Sequence, residues 1–276
     1  MARGAEREPG AMQTSRRPHR ASSSTRVAAK AWFTLASDME IVTCLHGFSQ
    51  HGDSWEELAA LLADYRWLTP DLGATSLDEA VAEVLGLWDR EGIERSHLVG
   101  YSQGGRVALH LACTHPERVL TLTTIGAHAG LEGEPRARRL EEDRALAERI
   151  ERQGVEWFAD YWAARPIFKG LARRGPAVLA RLDAGRRKND AARLAATLRS
   201  LGAGTMPPFW ERLGAVQAPT LVLAGAEDPP YIAFAKRLAA IIPRSRAVVV
   251  PEAGHAVHLE QPEATARLLS DHLSSR

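Results

Sequence analysis

One short stretch constrains this chain more than any other: His97-Leu98-Val99-Gly100-Tyr101-Ser102-Gln103-Gly104-Gly105-Arg106. Leu98-Val99 reads as the end of a strand, and Val107-Ala108-Leu109-His110-Leu111-Ala112-Cys113 as a helix that runs until His115-Pro116. Between them a Gly-x-Ser-x-Gly sequence must turn the chain from strand to helix within a few residues. Glycine stands at 100 and 104 because side chains there would collide with neighbouring backbone in so tight a turn. Such a turn holds the Ser102 hydroxyl out from the sheet edge and puts that serine at the centre of any functional argument.

The rest of the chain repeats the strand-to-helix pattern. Candidate strands are Glu40 to Leu45, Arg66 to Thr69, Ser96 to Val99, Leu120 to Ile125, Thr220 to Ala224 and Ala247 to Val250, with helical patterns between them. Strands alternating with helices imply an α/β fold, a mostly parallel sheet with helices on both faces. Between the fourth and fifth strands lies an Arg-rich, mostly helical insertion of about ninety residues, Ala129 to Ala218. Placed after a strand whose carboxyl end faces the site, it is expected to be a helical cap at 129–218, over a core formed by 30–128 and 219–276. A chain of 276 residues with 45% apolar side chains can bury a sizeable core, so a soluble globular protein is expected. It shows no internal repeat and no heptad run.

Residues 1–29 are rich in Arg, Ser and Ala with almost no large apolar residue, so they are expected to be a disordered tail. They lack the apolar segment of a secretory signal; an organelle transit peptide shares the composition, but an unstructured extension, or a true start at Met12 or Met39, is the simpler reading. The balance of 35 basic and 34 acidic residues, net +1, argues against nucleic acid or an anionic membrane surface as partner. No segment is apolar long enough to span a bilayer, so no membrane insertion is expected. Cys44 and Cys113 sit in apolar runs as small buried hydrophobes, which makes a disulfide framework unlikely and the cytoplasm the expected location.

A serine hydroxyl becomes reactive when an imidazole takes its proton and a carboxylate orients the imidazole. After Ser102, in the chain order acid then histidine, Asp228 leaves the carboxyl end of the strand Thr220-Leu221-Val222-Leu223-Ala224, and His255 follows the strand that ends at Val250. Glu227 is the rival acid, read as a solvated loop charge. His258 is the rival base, read as beginning the final helix. An oxyanion hole needs two converging backbone N–H groups, for which Gln103, next to the nucleophile, and Phe48, in Leu45-His46-Gly47-Phe48, are the candidates. His46 is expected to brace that loop. No close-spaced His, Cys, Asp or Glu set suggests a metal, and no cofactor is expected.

At this point the residues resemble the α/β-hydrolases, and among them the 2-succinyl-6-hydroxy-2,4-cyclohexadiene-1-carboxylate synthases of menaquinone biosynthesis. The likeness runs over about residues 41 to 270 and rests on Leu45-His46-Gly47-Phe48 and on Gly100-Tyr101-Ser102-Gln103-Gly104-Gly105-Arg106. In the insertion it rests on Phe158-Ala159-Asp160-Tyr161-Trp162, Pro166-Ile167-Phe168 and Leu201-Gly202-Ala203-Gly204-Thr205 with Trp210 beyond. Near the end of the chain it rests on Gly254-His255-Ala256-Val257-His258-Leu259-Glu260-Gln261-Pro262. The arginine after the second glycine of the elbow and the cap pattern narrow the choice within the wider fold.

The resemblance implies a lyase that eliminates pyruvate from a succinyl-cyclohexene dicarboxylate bearing an enolpyruvyl group, with Ser102, His255 and Asp228 acting as a general base. It implies a small anionic substrate held by guanidinium groups: Arg106 at the elbow, then Arg139 and Arg186 in the cap, with Arg138 and Arg187 as neighbours able to exchange roles. Tyr101 and Trp162 correspond to pocket aromatics. A monomer or weak homo-oligomer is expected. The segment Asp71-Leu72-Gly73-Ala74-Thr75-Ser76 departs from the family by replacing a Pro-Gly-His-Gly loop with a shorter one, which bears on pocket shape. The alternative reading is a serine hydrolase cleaving an ester or a carbon–carbon bond in a small acidic or aromatic substrate. A non-catalytic binding member of the fold would lack Ser102, Asp228 or His255, and all three are present.

Overall fold

Short runs of β-branched and leucine residues form a six-stranded, wholly parallel sheet in the computed structural model, which describes residues 39–275. The tail expected at 1–29, with Met12, lies outside the described residues. The strands are β1 (Ile41–Leu45), β2 (Arg66–Leu68), β3 (Ser96–Tyr101), β4 (Val119–Ile125), β5 (Thr220–Gly225) and β6 (Ser245–Val250), in the spatial order β2-β1-β3-β4-β5-β6. Each lies within two residues of its expected bounds. The differences reach two residues at the end of β3 and at the start of β6, where Ser245 and Arg246 pair with Thr220 and Leu221 although neither is apolar. On an edge strand one side of the ladder faces no partner, so polar residues cost little there.

Most residues of the central strands alternate between two cores, the exception being the start of β4, where Val119 joins the same core as Leu122 beside a register irregularity. Leu98, Leu122, Val222 and Ala224 pack to one side, whereas Val99, Tyr101, Leu221 and Leu223 pack to the other. This period of two in strands buried on both faces produces continuous apolar runs. Helices are α1 (Glu56–Leu61), α2 (Leu77–Arg90), α3 (Gln103–Thr114), α4 (Gly133–Ala163), α5 (Pro176–Arg187), α6 (Ala191–Leu201), α7 (Pro229–Ile241), α8 (Val257–Glu260) and α9 (Pro262–Leu273). Helices α2, α3 and α7 contribute to the first core, and α1, α8 and α9 to the second. Cys44 and Cys113 are free and buried.

Between β4 and β5 lie α4, α5 and α6 with a 3₁₀ segment at Pro166–Arg174. Helix α4 is two helices broken at Gly154, whose φ of 81° is left-handed backbone that glycine tolerates. These helices have a small core of their own, in which Ala147, Ile150 and Phe158 meet Leu194, Ala195 and Leu198. Much of their outer charge is mutually satisfied: Arg187 bonds Asp183, Glu156 and Asp160, and Arg199 bonds both oxygens of Glu151. Polar contacts fasten this block to the sheet domain, with Arg174 on Glu57 at 2.5 Å and Asn189 Nδ2 donating to Ser49 O at 3.0 Å. Among the described residues no helix is long and apolar enough to cross a membrane.

Candidate active site

The turn after β3 is as tight as its sequence requires. A Cβ added at Gly104 would lie 2.1 Å from Leu45 O, and one at Gly100 would lie 2.5 Å from Gly104 O. Ser102 itself adopts φ 50°, a left-handed conformation that costs a non-glycine residue about 1–3 kcal/mol and is characteristic of strained functional turns. The strain lifts Oγ toward His255, whose Nε2 lies 3.1 Å away. On the other side of that ring, Nδ1 is 2.7 Å from Asp228 Oδ2. Asp228 is 6% exposed and His255 3%, so this hydrogen-bonded chain is shielded from water and worth more than its surface equivalent.

The two rival residues have other partners. Glu227 is exposed but not free, since its carboxylate meets Arg173 at 3.0 Å. His258 does not begin the final helix: it lies in the four-residue α8, and α9 starts at Pro262. The cause is Gln261, whose extended φ of −135° breaks the two apart ahead of the proline. The His258 ring stacks on Trp55 at 4.4 Å, and neither ring nitrogen has a hydrogen-bond partner among the described residues. Burial pushes its pKa down to about 3, so it is a neutral core residue.

Two amides are left without acceptors close to Ser102. Gln103 is the first residue of α3, whose leading N–H groups have no acceptor within the helix. Gly104 N–H, by contrast, donates to His46 O at 3.1 Å and so ties the helix start to the loop carrying Phe48. Neither Gln103 N–H nor Phe48 N–H donates to another described residue. The positive end of the α3 dipole lies at the same point. His46 braces the loop through Nδ1, which bonds Gly47 O at 2.9 Å, while its Nε2 lies 3.6 Å from Asp71 Oδ1; burial lowers its pKa.

In front of Ser102 opens a cavity of about 480 Å³, within the usual range for small-molecule sites. One wall is aromatic: the Trp162 ring lies 5.3 Å from Phe48, 5.6 Å from Phe158 and 5.9 Å from Phe168. Tyr101 lines the cavity from beneath His255, 5.4 Å away, with burial raising its hydroxyl pKa. Five arginines line it, Arg106, Arg139, Arg149, Arg165 and Arg186, against the two acidic residues Glu142 and Asp143. Arg139 is partly neutralised, Nε lying 2.7 Å from Asp143 Oδ1. Arg186 lies over the Phe168 ring, 5.9 Å from its centroid.

Arg106 is the unusual one. It is 7% exposed, and among the described residues it has no carboxylate partner, only a 3.8 Å contact to Met206 Sδ. Burial pushes its pKa down to about 10, which still leaves it charged at neutral pH. The neighbours Arg138 and Arg187 line no part of this cavity: Arg138 meets Glu134 and Glu142 at 3.8 and 4.0 Å, and Arg187 is held by its three carboxylates.

The short segment after Asp71 lies elsewhere. It contributes nothing to the main cavity and instead borders a second one of about 220 Å³ behind the Phe48 loop. There Asp71 Oδ1 accepts Gly52 N–H at 2.7 Å. Among the described residues no three His, Cys, Asp or Glu side chains converge as metal ligands. Among the cavity residues that motif reading missed are the polar side chains His128, Arg149, Arg165 and Tyr231. Two of them had a usable signal, since His128 and Tyr231 each follow the carboxyl end of a strand, where sites collect in parallel sheets.

A strained serine on a strand-to-helix turn, with a buried His-Asp pair behind it and two free amides beside it, defines the class of protein. The chain belongs to the alpha/beta hydrolase family, whose model matches residues 44–268. Within it the chain is 35% identical over 86% of its length, and 91% of the relative's, to the putative 2-succinyl-6-hydroxy-2,4-cyclohexadiene-1-carboxylate synthase of Bacillus subtilis. It is 33% identical to the synthase of that name from Enterobacter, covering 84% of this chain and 91% of that one. Among solved structures, MenH from S. aureus superposes with a TM-score of 0.78 at 25% identity, covering 85% of this chain and 93% of that one. A thermophilic esterase from Thermogutta terrifontis, solved with malate bound, superposes at 0.72 with 26% identity, covering 84% of this chain and 88% of that one.

Proposed function

We propose that this chain eliminates pyruvate from 2-succinyl-5-enolpyruvyl-6-hydroxy-3-cyclohexene-1-carboxylate to give 2-succinyl-6-hydroxy-2,4-cyclohexadiene-1-carboxylate, as a cytoplasmic biosynthetic enzyme. The observation that carries the reading is Arg106, a buried guanidinium with no carboxylate partner among the described residues, in a cavity lined by five arginines. An isolated buried cation is costly to the fold, and a substrate carboxylate in a bidentate fork offsets that cost when bound. The similarity to synthases of this name supports the choice of substrate.

In this reading His255 takes the Ser102 proton, and the serine oxygen removes the ring proton next to the succinyl carbonyl. Asp228 holds the imidazole in the required tautomer and stabilises it once charged. As the C–H bond breaks, negative charge moves onto the carbonyl oxygen, where the Phe48 and Gln103 N–H groups would receive it. That charge then returns to form a C2=C3 double bond while the ring C3=C4 bond shifts to C4=C5 and the C5–O bond breaks; the expelled enolpyruvate takes the proton held by His255 and becomes pyruvate, which leaves Ser102 and His255 in their starting states. Arg106, Arg139 and Arg186 hold the carboxylates, while Tyr101 and Trp162 flank the ring. No acyl-enzyme forms.

A serine hydrolase is the second reading, favoured by one observation: the same triad and free amides are the equipment of acyl transfer. The fate of Ser102 separates the two. Intact-protein mass spectrometry during turnover would show an acyl adduct on Ser102 for a hydrolase and unmodified protein for the lyase.

A further inference from the structure

His128 is claimed by neither the triad, the free amides nor the arginines, yet it lines the same cavity and is 2% exposed. It stands just beyond β4, at the sheet edge that carries Ser102, Asp228 and His255. Its Nδ1 accepts a hydrogen bond from Gly130 N–H at 3.0 Å. A backbone amide can only donate, so Nδ1 presents its lone pair and the proton of the neutral ring is on Nε2. Burial, then the charges of Arg106, Arg139 and His255, hold this imidazole well below its ordinary pKa, so it is uncharged near pH 7. Among the described residues nothing accepts from Nε2.

Tyr231 stands beside it, its ring 6.1 Å from His128 and 4.3 Å from His255. Phe234 packs 5.0 Å from the imidazole and helps fix its plane. The Tyr231 hydroxyl also has no hydrogen-bond partner among the described residues, and burial raises its pKa, so it too remains a neutral donor. This wall of the cavity therefore presents two uncharged donors within electrostatic reach of both Arg106 and Arg139.

We propose that His128 Nε2–H and Tyr231 O–H form a neutral two-donor subsite that completes the hydrogen bonding of the substrate carboxylate held by Arg106, an inference that rests on the cavity taking an anionic substrate. A carboxylate has about four lone-pair positions, and one guanidinium fork fills two of them. In a cavity shielded from water the remaining positions are costly to leave empty. Neutral donors fill them without adding a further positive charge, which favours a singly charged carboxylate over a phosphate dianion.

The test uses His128→Phe, which fills the ring volume without the donor, and His128→Gln, which restores an N–H near the Nε2 position. Each is made in the active protein for kcat, KM and the pH–rate profile, and in a Ser102→Ala background for calorimetric titration with phthalate, a ring carboxylate. His128→Phe should weaken phthalate binding and raise KM roughly tenfold, by loss of hydrogen bonds to a charged group. The loss should fall mainly on KM, leave the acidic limb of the profile unmoved, and be largely recovered by His128→Gln. The proposal is overturned if the Ser102→Ala parent shows no phthalate binding, or if His128→Phe binds phthalate as tightly as that parent does. It is also overturned if His128→Gln loses as much as His128→Phe at an unchanged Tm, or if the acidic limb disappears in His128→Phe, which would make His128 a titrating base. Phthalate binding that depends on His128 supports the subsite even where pyruvate release is absent, an outcome that overturns the lyase reading alone.

Discussion

Arg106 is a cation placed where the fold gains nothing from it. At 7% exposure, with Met206 Sδ as its hydrogen-bond contact among the described residues, its charge is desolvated, and the more distant Asp143 offsets only part of that cost. Function and stability should therefore separate cleanly at this side chain. Arg106→Met, which keeps an unbranched apolar stem and removes the charge, should raise folding stability by about 1–3 kcal/mol in urea denaturation. The same variant should lose at least tenfold in kcat/KM, about 1.4 kcal/mol or more, because the buried substrate carboxylate loses its charged partner. Unchanged kcat/KM would remove the anion pocket from the account. The juxtaposition of Ser102 and His255 could be read from sequence because a tight strand-to-helix turn and the chain order impose local patterns. Periodicity alone does not separate Arg139 from Arg138, since a helix polar all round does not mark the face that lines a cavity; the family resemblance favours Arg139, the one that lines it.

Among the elements, α4 and the turn following α6 are joined through one buried carboxylate. Asp143, 3% exposed at its side chain, takes Arg139 Nε on Oδ1 at 2.7 Å and Gly204 N–H on Oδ2 at 3.1 Å. It thus fixes a cavity arginine and the Leu201-Gly202-Ala203-Gly204-Thr205 turn together. Asp143→Asn keeps the shape but leaves one acceptor oxygen where there were two, so the charge is lost and one of the two N–H donors faces an NH2 group, which should cost about 1–3 kcal/mol of stability. A rise in KM of several fold should accompany it as Arg139 loses its anchor, and an unaltered KM would show that Arg139 needs no such support. The central strands were legible to within two residues because burial on both faces demands an apolar run, whereas the start of edge strand β6 was missed because Ser245 and Arg246 are tolerated there. The short segment after Asp71 was legible as a departure but not in its effect, because where a loop lies in space depends on contacts remote in sequence, here Gly52 and Glu83.

Taken as a whole, the molecule holds several imidazoles buried in neutral form. Burial pushes His97 down to about 4 and His258 down to about 3, and lowers His128 and His272 as well. In the unfolded chain a histidine binds its proton near pH 6.5, whereas in the native protein these rings do so only at lower pH. The unfolded state therefore takes up more protons as pH falls, and native stability is lost from about pH 6.5 downward while it is flat above that point. His258→Phe, which keeps the stack on Trp55, should flatten this slope, gaining roughly 1 kcal/mol over wild type at pH 5.5 relative to its effect at pH 8. An equal shift at both pH values would show that His258 is not a source of acid lability.

The central claim is that the whole assembly, sheet edge and arginine-lined cavity together, eliminates pyruvate through Ser102 without becoming acylated. The most direct measurement is pyruvate release from the enolpyruvyl-succinyl-cyclohexene substrate by wild-type and Ser102→Ala protein, with the mass of the wild-type protein followed during turnover. The account predicts rapid release by wild type, a loss of a thousandfold or more in Ser102→Ala, and no mass increase on the wild-type chain. Release at background rate, together with serine-dependent cleavage of small activated esters and an acyl adduct on Ser102, would contradict it and leave a hydrolase in its place.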